Sequence, residues 1–148
     1  MDKIITTHWY PENKLIITHI SGDANSDDIK RWEQSLLRTL DQVEDNDTFK
    51  IFVNLHGFKA VNIDAHKQFR TIIPLTLATY GWKCGYVDLF EEASQLQLTN
   101  TRGIQCTAAA HAHHDETKMT LYESNYSRSN EHFFTDPIAA QQWINSMQ

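Results

Sequence analysis

The spacing of apolar residues changes several times along this chain, and each change marks an element. Residues 3–10 carry Ile4, Ile5, Trp9 and Tyr10 with threonines between them, the enrichment expected of a strand. Pro11, Glu12 and Asn13 form a turn signal, because proline presets one backbone angle and asparagine tolerates turn geometry. Residues 14–20 return to strand character through Leu15, Ile16, Ile17 and Ile20. Two such runs joined by a short polar turn predict an antiparallel hairpin.

The period then becomes helical. Asn25 or Ser26 is placed to cap a helix whose first turn holds Asp27 and Asp28, where negative charge favours the helix dipole. Ile29, Trp32, Leu36, Leu40 and Val43 fall on one face of it. Residues 49–55 predict the next strand, residues 58–61 a loop, and Asn62 or Asp64 the cap of a second helix carrying Phe69, Ile72, Ile73, Leu77 and Tyr80. Pro74 falls within that pattern, which predicts a kink or a break into two short helices, and Gly81 closes it. Residues 83–89 alternate weakly, as a short strand does, and residues 91–100 fit helix or loop equally.

The run from Ile104 to Ala112 is free of acidic and basic side chains apart from His111, and gives way to His113, His114 and Asp115. That is the pattern of a strand buried on both faces whose carboxyl end opens onto something polar. Asp115 caps a helix with Met119, Tyr122 and Tyr126. Residues 131–135 predict a short strand. Asp136 followed by Pro137 is a strong helix start, and Ile138, Ala140, Trp143, Ile144 and Met147 give that helix its stripe. Strands alternating with helices predict an α/β fold with a mainly parallel central sheet, helices on both faces and an antiparallel hairpin at its start.

Composition narrows the classes. With 148 residues, one α/β domain over residues 1–148 is expected. The net charge is -6 and the basic residues are scattered, which argues against a nucleic-acid partner. There is no transmembrane segment and the first residues lack the apolar core of a signal peptide. Cys84 and Cys106 match no metal spacing, so two free thiols in a reducing cytoplasm are expected. The acidic loop Glu44, Asp45, Asn46 and Asp47 lacks the glycine and downstream glutamate of an EF-hand and reads as a solvated turn, as do Asp88, Glu91 and Glu92. Trp32 and Trp143 are expected in the core. Trp9 and Trp82 lie near element ends, where they would line a pocket or a dimer surface.

Three places carry a family resemblance. One is the hairpin feeding a capped helix. Another is the strand FKIFVNLHG, followed by a loop and a helix near Asp64. The last is the run EHFFTDPIAAQQWI. In this order the chain resembles the SpoIIAA-like branch of the STAS superfamily, apart from a probable insertion at residues 82–102. The resemblance implies that strands and helices alternate and that each parallel strand lies beside its predecessor. In the anti-sigma-factor antagonists of that superfamily, a serine or threonine opening the second helix is phosphorylated. Here Asn62, Ile63, Asp64, Ala65 and His66 offer no hydroxyl, and Ala65 stands where one is expected.

Ligands of open parallel sheets bind beyond the carboxyl ends of the strands. Two such ends carry polar groups, namely His56, Asn62 and Asp64, and His111, His113, His114 and Asp115. Together they form the expected ligand-binding mouth. His111 and His113 are two apart and so share a strand face. With a third ligand from His56, Asp64 or Asp115 they would suit a transition metal such as zinc, iron or nickel. Asp64 and Asp115 are the expected acceptors for these rings, and His113 beside Asp115 is a candidate acid–base group. Ser94, Ser124 and the threonines lack a nucleophile elbow, and neither cysteine has an identifiable base. The expected function is a non-enzymatic binding or regulatory module with a protein or small-molecule partner. The alternative is a small metal-dependent or acid–base enzyme using the same histidines. The apolar residues of 82–102 add the expectation of a homodimer.

Overall fold

Strand β1 (Ile4–Tyr10) and strand β2 (Leu15–Ala24) form the antiparallel hairpin, with Tyr10 opposite Leu15 and Ile4 opposite Ser21. The computed structural model describes residues 3–91 and 96–147. Helix α1 (Ser26–Leu40) starts on a capping box. The Asn25 side chain accepts from the Asp28 amide at 2.9 Å and the Asp28 carboxylate accepts from the Asn25 amide at 3.0 Å. Strand β3 (Thr48–Asn54) then runs parallel to β2. Residues 58–61, expected as a loop, include a short strand β4 (Phe58–Ala60) paired with the far end of β2. Long β2 offers backbone groups there that β3 does not reach.

Asn62 caps α2 (Ile63–Arg70) by accepting from the Ala65 amide at 2.8 Å. The predicted interruption falls between α2 and α3 (Ile72–Ala78), and Pro74 sits in the first turn of the second piece, where its missing N–H costs nothing. Strand β5 (Gln105–Ala112) pairs with β3, helix α4 (Glu116–Tyr126) follows, and strand β6 (Glu131–Phe134) lies on the other side of β5. Helix α5 (Pro137–Ser146) is capped by Asp136. The sheet order is β1-β2-β3-β5-β6 with β4 off that path, and every pairing but β1 with β2 is parallel.

Helices lie on both faces. Ile16, Ile20, Ile51 and Val53 share a core with Trp32 and Leu36 of α1 and with Ile73 and Leu77 of α3. Leu15, Phe52, Ala108, Ala110 and Ala112 meet Ala140 and Ile144 of α5 on the opposite face. The small side chains of β5 let α5 approach closely. One irregularity sets the phase of β5. Phe49 pairs with Cys106 but Lys50 pairs with Ala108, leaving Thr107 as a bulge. Cys106 belongs to the first core while Ala108 belongs to the second. The bulge thus inverts the alternation and turns Ala109 and His111 to the α1–α4 side. Asn130 donates to the Thr107 carbonyl at 3.2 Å, so the displaced backbone is satisfied.

Some expectations are corrected. Residues 83–89 form no strand but a loop with a 3-10 turn at Val87–Leu89. Their apolar residues are there for packing: Trp82, Cys84 and Val87 are buried, and Leu96 packs against the same core. The described part of the 82–102 segment thus lies largely on its own domain. Ile138 is exposed, whereas Ala140 and Ile144 carry the apolar face of α5. Trp32 is in the core as expected, while Trp143 is half-buried. Trp82 is buried beneath the Arg128 guanidinium, 4.5 Å from its ring centre. Cys84 and Cys106 are free and buried. Among the described residues no helix is long and apolar enough to cross a membrane.

Candidate functional site

Beyond the carboxyl ends of β3 and β5, the sheet, α2, α3 and α4 enclose a cavity of about 60 Å³. Its walls are Val53 and Leu55 from β3 and its end, Phe69 and Ile73 from α2 and α3, Met119 and Tyr122 from α4, and Tyr86 and Phe133. It opens into a groove of about 480 Å³ running past Phe58, Asn62 and Ile63. Leu55, His66, Phe69, His113 and Lys118 line both spaces, which makes them one continuous site.

His111 forms part of the cavity wall and is only 5% exposed. Its Nε2 lies 2.8 Å from Glu131 Oε2, and Glu131 is fully buried. The pairing follows from the sheet register. Ala109 is opposite Glu131 and His111 opposite Phe133, so the acid sits diagonally across from the imidazole on the same face. The other carboxylate oxygen accepts from the Gly85 amide at 2.9 Å and from Arg128, whose Nη2 is 3.0 Å away and Nε 3.2 Å. Burial pushes the Glu131 carboxyl up, but the hydrogen bond and charge of His111, together with Arg128 and Gly85, outweigh it and hold the group below its ordinary range. The His111 ring lies flat on Phe133, 4.7 Å away at 12°, and meets Tyr86 edge-on at 5.5 Å.

His113 follows the end of β5 and lines both cavity and groove. Its Nδ1 accepts from the Asp115 amide at 3.0 Å, and its ring stacks on His114 at 4.3 Å. Burial pushes His113 down to about 4, with the charges of Lys118 and His114 acting the same way and Asp115 opposing them. His113 is therefore a neutral imidazole near pH 7. His66 is lowered as well, first by burial and then by Lys118 and Arg70. Burial likewise lowers Lys118, whose Nζ lies 5.6 Å from the Tyr122 ring centre.

The residues named from sequence divide accordingly. His111 and His113 share the cavity, and His113, His114 and Asn62 share the groove. The Gly57 amide donates to His114 Nδ1 at 3.0 Å, fixing that ring to the turn after β3. His56 is 5.9 Å from the His114 ring but lines a separate shallow groove with His19. Asp64 is exposed on α2 and Asp115 is used as the α4 cap, accepting from the Lys118 amide at 3.0 Å. The acceptor of His111 is Glu131, in place of the two aspartates expected. Among the described residues no group of three or more His, Cys, Asp or Glu side chains could hold a metal ion. The third ligand required by a zinc-type site is not at hand. Ser94 and Glu92 lie outside the described residues.

Sequence reading missed His66, Lys118, Tyr86 and Glu131. His66 had a legible signal, since residues 66, 69 and 73 recur on one helix face. Glu131 had none, because its partner is contributed by a neighbouring strand. No family model matches this chain, and comparison with curated proteins and with solved structures finds no match.

Proposed function

We propose that this chain is a non-enzymatic binding or regulatory module that takes a small molecule with an apolar body and one anionic group. One observation carries the reading. Although the chain has net charge -6, the described lining of cavity and groove includes Lys59, Arg70 and Lys118 and no aspartate or glutamate. Cations in an apolar cleft focus a positive potential, and desolvation of Lys118 raises the gain from a partner. The apolar end of the ligand enters the cavity, and the anion stays at the junction with the groove, between Lys118, His66 and His113. A domain of the SpoIIAA-like kind is supported by the strand order, in which β3, β5 and β6 are added in sequence beside the hairpin. With Ala65 buried where that family's hydroxyl is expected, occupancy of the cavity replaces phosphorylation as the signal. The buried free thiols support a reducing, cytoplasmic setting.

The test is thermal stabilisation by benzoate and by butyrate, with inorganic phosphate as the anion lacking an apolar body. The carboxylates are expected to raise the melting temperature and phosphate is not. Lys118→Met is expected to weaken carboxylate binding by roughly 10-fold or more, the scale of a hydrogen bond to a charged group. Equal effects of phosphate and benzoate, or a Lys118→Met variant that binds as wild type, would sink the reading.

A second reading, acid–base catalysis in the same cavity, draws on the carboxylate-held imidazole of His111. It predicts exchange of solvent deuterium into the α-position of a bound carboxylate, lost in His111→Ala. A binding module shows none. Exposed Leu89 and Leu98 support the proposed homodimer, which light scattering at micromolar concentration tests directly.

A further inference from the structure

Glu131 does more than accept one hydrogen bond. Its Oε1 already receives the Gly85 amide and the Arg128 guanidinium, and its Oε2 faces His111 Nε2. A buried, ionised carboxylate is an acceptor on both oxygens. Nε2 must therefore carry the hydrogen, and Nδ1 is left as the lone-pair nitrogen of the neutral ring. Stacking on Phe133 and the edge contact with Tyr86 prevent the ring from turning over. Nδ1 has no hydrogen-bond partner among the described residues, and His111 belongs to the cavity wall.

We infer that His111 Nδ1 is a fixed hydrogen-bond acceptor presented to the cavity, and that it selects ligands bringing an O–H or N–H donor to the end opposite their anion. This rests on the anion-binding reading and narrows it. The favoured class is a small hydroxy or amino acid-type molecule with its donor remote from the carboxylate. An unsubstituted acid leaves Nδ1 without a partner once the cavity is dry, and a buried acceptor without a partner is disfavoured.

The substitution Glu131→Gln sharpens the inference. Three donor N–H groups converge on Oε1, so the glutamine oxygen must take that position and its amide nitrogen must face His111 Nε2. Nε2 then becomes the acceptor, and the ring hydrogen moves to Nδ1. A nearly isosteric change should thus invert the polarity of the cavity wall without moving the imidazole.

Two measurements test this. Long-range proton–nitrogen NMR on wild type is expected to show His111 Nε2 protonated and Nδ1 unprotonated at pH 7, with the two exchanged in Glu131→Gln. Calorimetry with two matched pairs, benzoate against 4-hydroxybenzoate and butyrate against 4-hydroxybutyrate, reads the selectivity. Wild type is expected to prefer at least one hydroxylated partner by roughly 3- to 10-fold, the scale of one neutral hydrogen bond, and Glu131→Gln is expected to lose that preference. A protonated Nδ1 in wild type, or hydroxylated and plain acids binding alike, overturns the inference and leaves the anion-binding reading standing. Failure of all four acids to bind overturns both.

Discussion

Removing the Glu131 side chain is the most informative perturbation of stability. In Glu131→Ala the Gly85 amide and His111 Nε2–H lose acceptors now at 2.9 and 2.8 Å. Leaving such a buried group unpaired costs about 1 to 3 kcal/mol each. The Arg128 side chain is 43% exposed, so it returns to water at little cost. The sum is about 3 to 5 kcal/mol, the range measured when one partner of a buried pair is deleted. For a domain of this size that lowers the melting temperature by roughly 6 to 20 °C. Glu131→Gln keeps the oxygen that serves Gly85 and Arg128 and should cost only about 1 to 2 kcal/mol. Replacing both partners, Glu131→Leu with His111→Leu, should recover much of the loss because no orphaned donor remains on the ring. Urea denaturation followed by circular dichroism measures all three. A loss under about 1 kcal/mol in Glu131→Ala, or equal losses in the alanine and glutamine variants, would show that the buried acceptor is not what holds these elements together.

Three further outcomes follow from the geometry. Gly85→Ala is expected to destabilise by about 1 to 3 kcal/mol, because a Cβ there would lie 2.3 Å from the Tyr126 carbonyl and 3.1 Å from Glu131 Oε1; a melting curve unchanged from wild type refutes the crowding. Thr18→Val leaves the buried Trp32 Nε1–H, now donating to Thr18 Oγ1 at 2.7 Å, without its acceptor and should cost about 1 to 3 kcal/mol, read by chemical denaturation. The depressed His113 predicts a pH effect of definite sign. Between its ordinary value of 6.5 and about 4 the unfolded chain binds the proton and the folded one does not, so stability falls as pH drops through that window. Partial solvent access limits the His113 share to about 1 to 2 kcal/mol. His19 and His66, lowered first by burial, act in the same direction, and His113→Gln should flatten the slope measured by denaturation at a series of pH values.

What could be read from the sequence were features whose cause is local. Asn25 with Asp28, Asp115 and Asp136 before Pro137 each act within a turn of their own helix, and each caps as expected. The shared location of His111 and His113 also follows from strand geometry alone. What stayed hidden depends on neighbours distant in sequence. Glu131 opens a short strand after a turn, where an acid reads as solvated; only the β5–β6 register makes it the partner of His111. Residues 83–89 look strand-like because Trp82, Cys84 and Val87 are apolar, yet their partner is the core surface, with no strand available to pair. Residues 58–60 read as a loop because nothing local shows that β2 continues far enough to pair with them.

The Thr107 bulge gives β5 a property that matters for how such a domain diversifies. Beyond it, residues 108, 110 and 112 serve only the contact with α5, while 109 and 111 belong to the opposite face. Point substitutions can therefore alter one face and spare the other. Deleting one residue is a different event. Loss of Thr107 would rephase the rest of the strand, pressing the His111 imidazole against α5 and turning the alanines toward the cavity. Within this strand, lineages that keep the chemistry of the site must tolerate changes of side chain far better than changes of length.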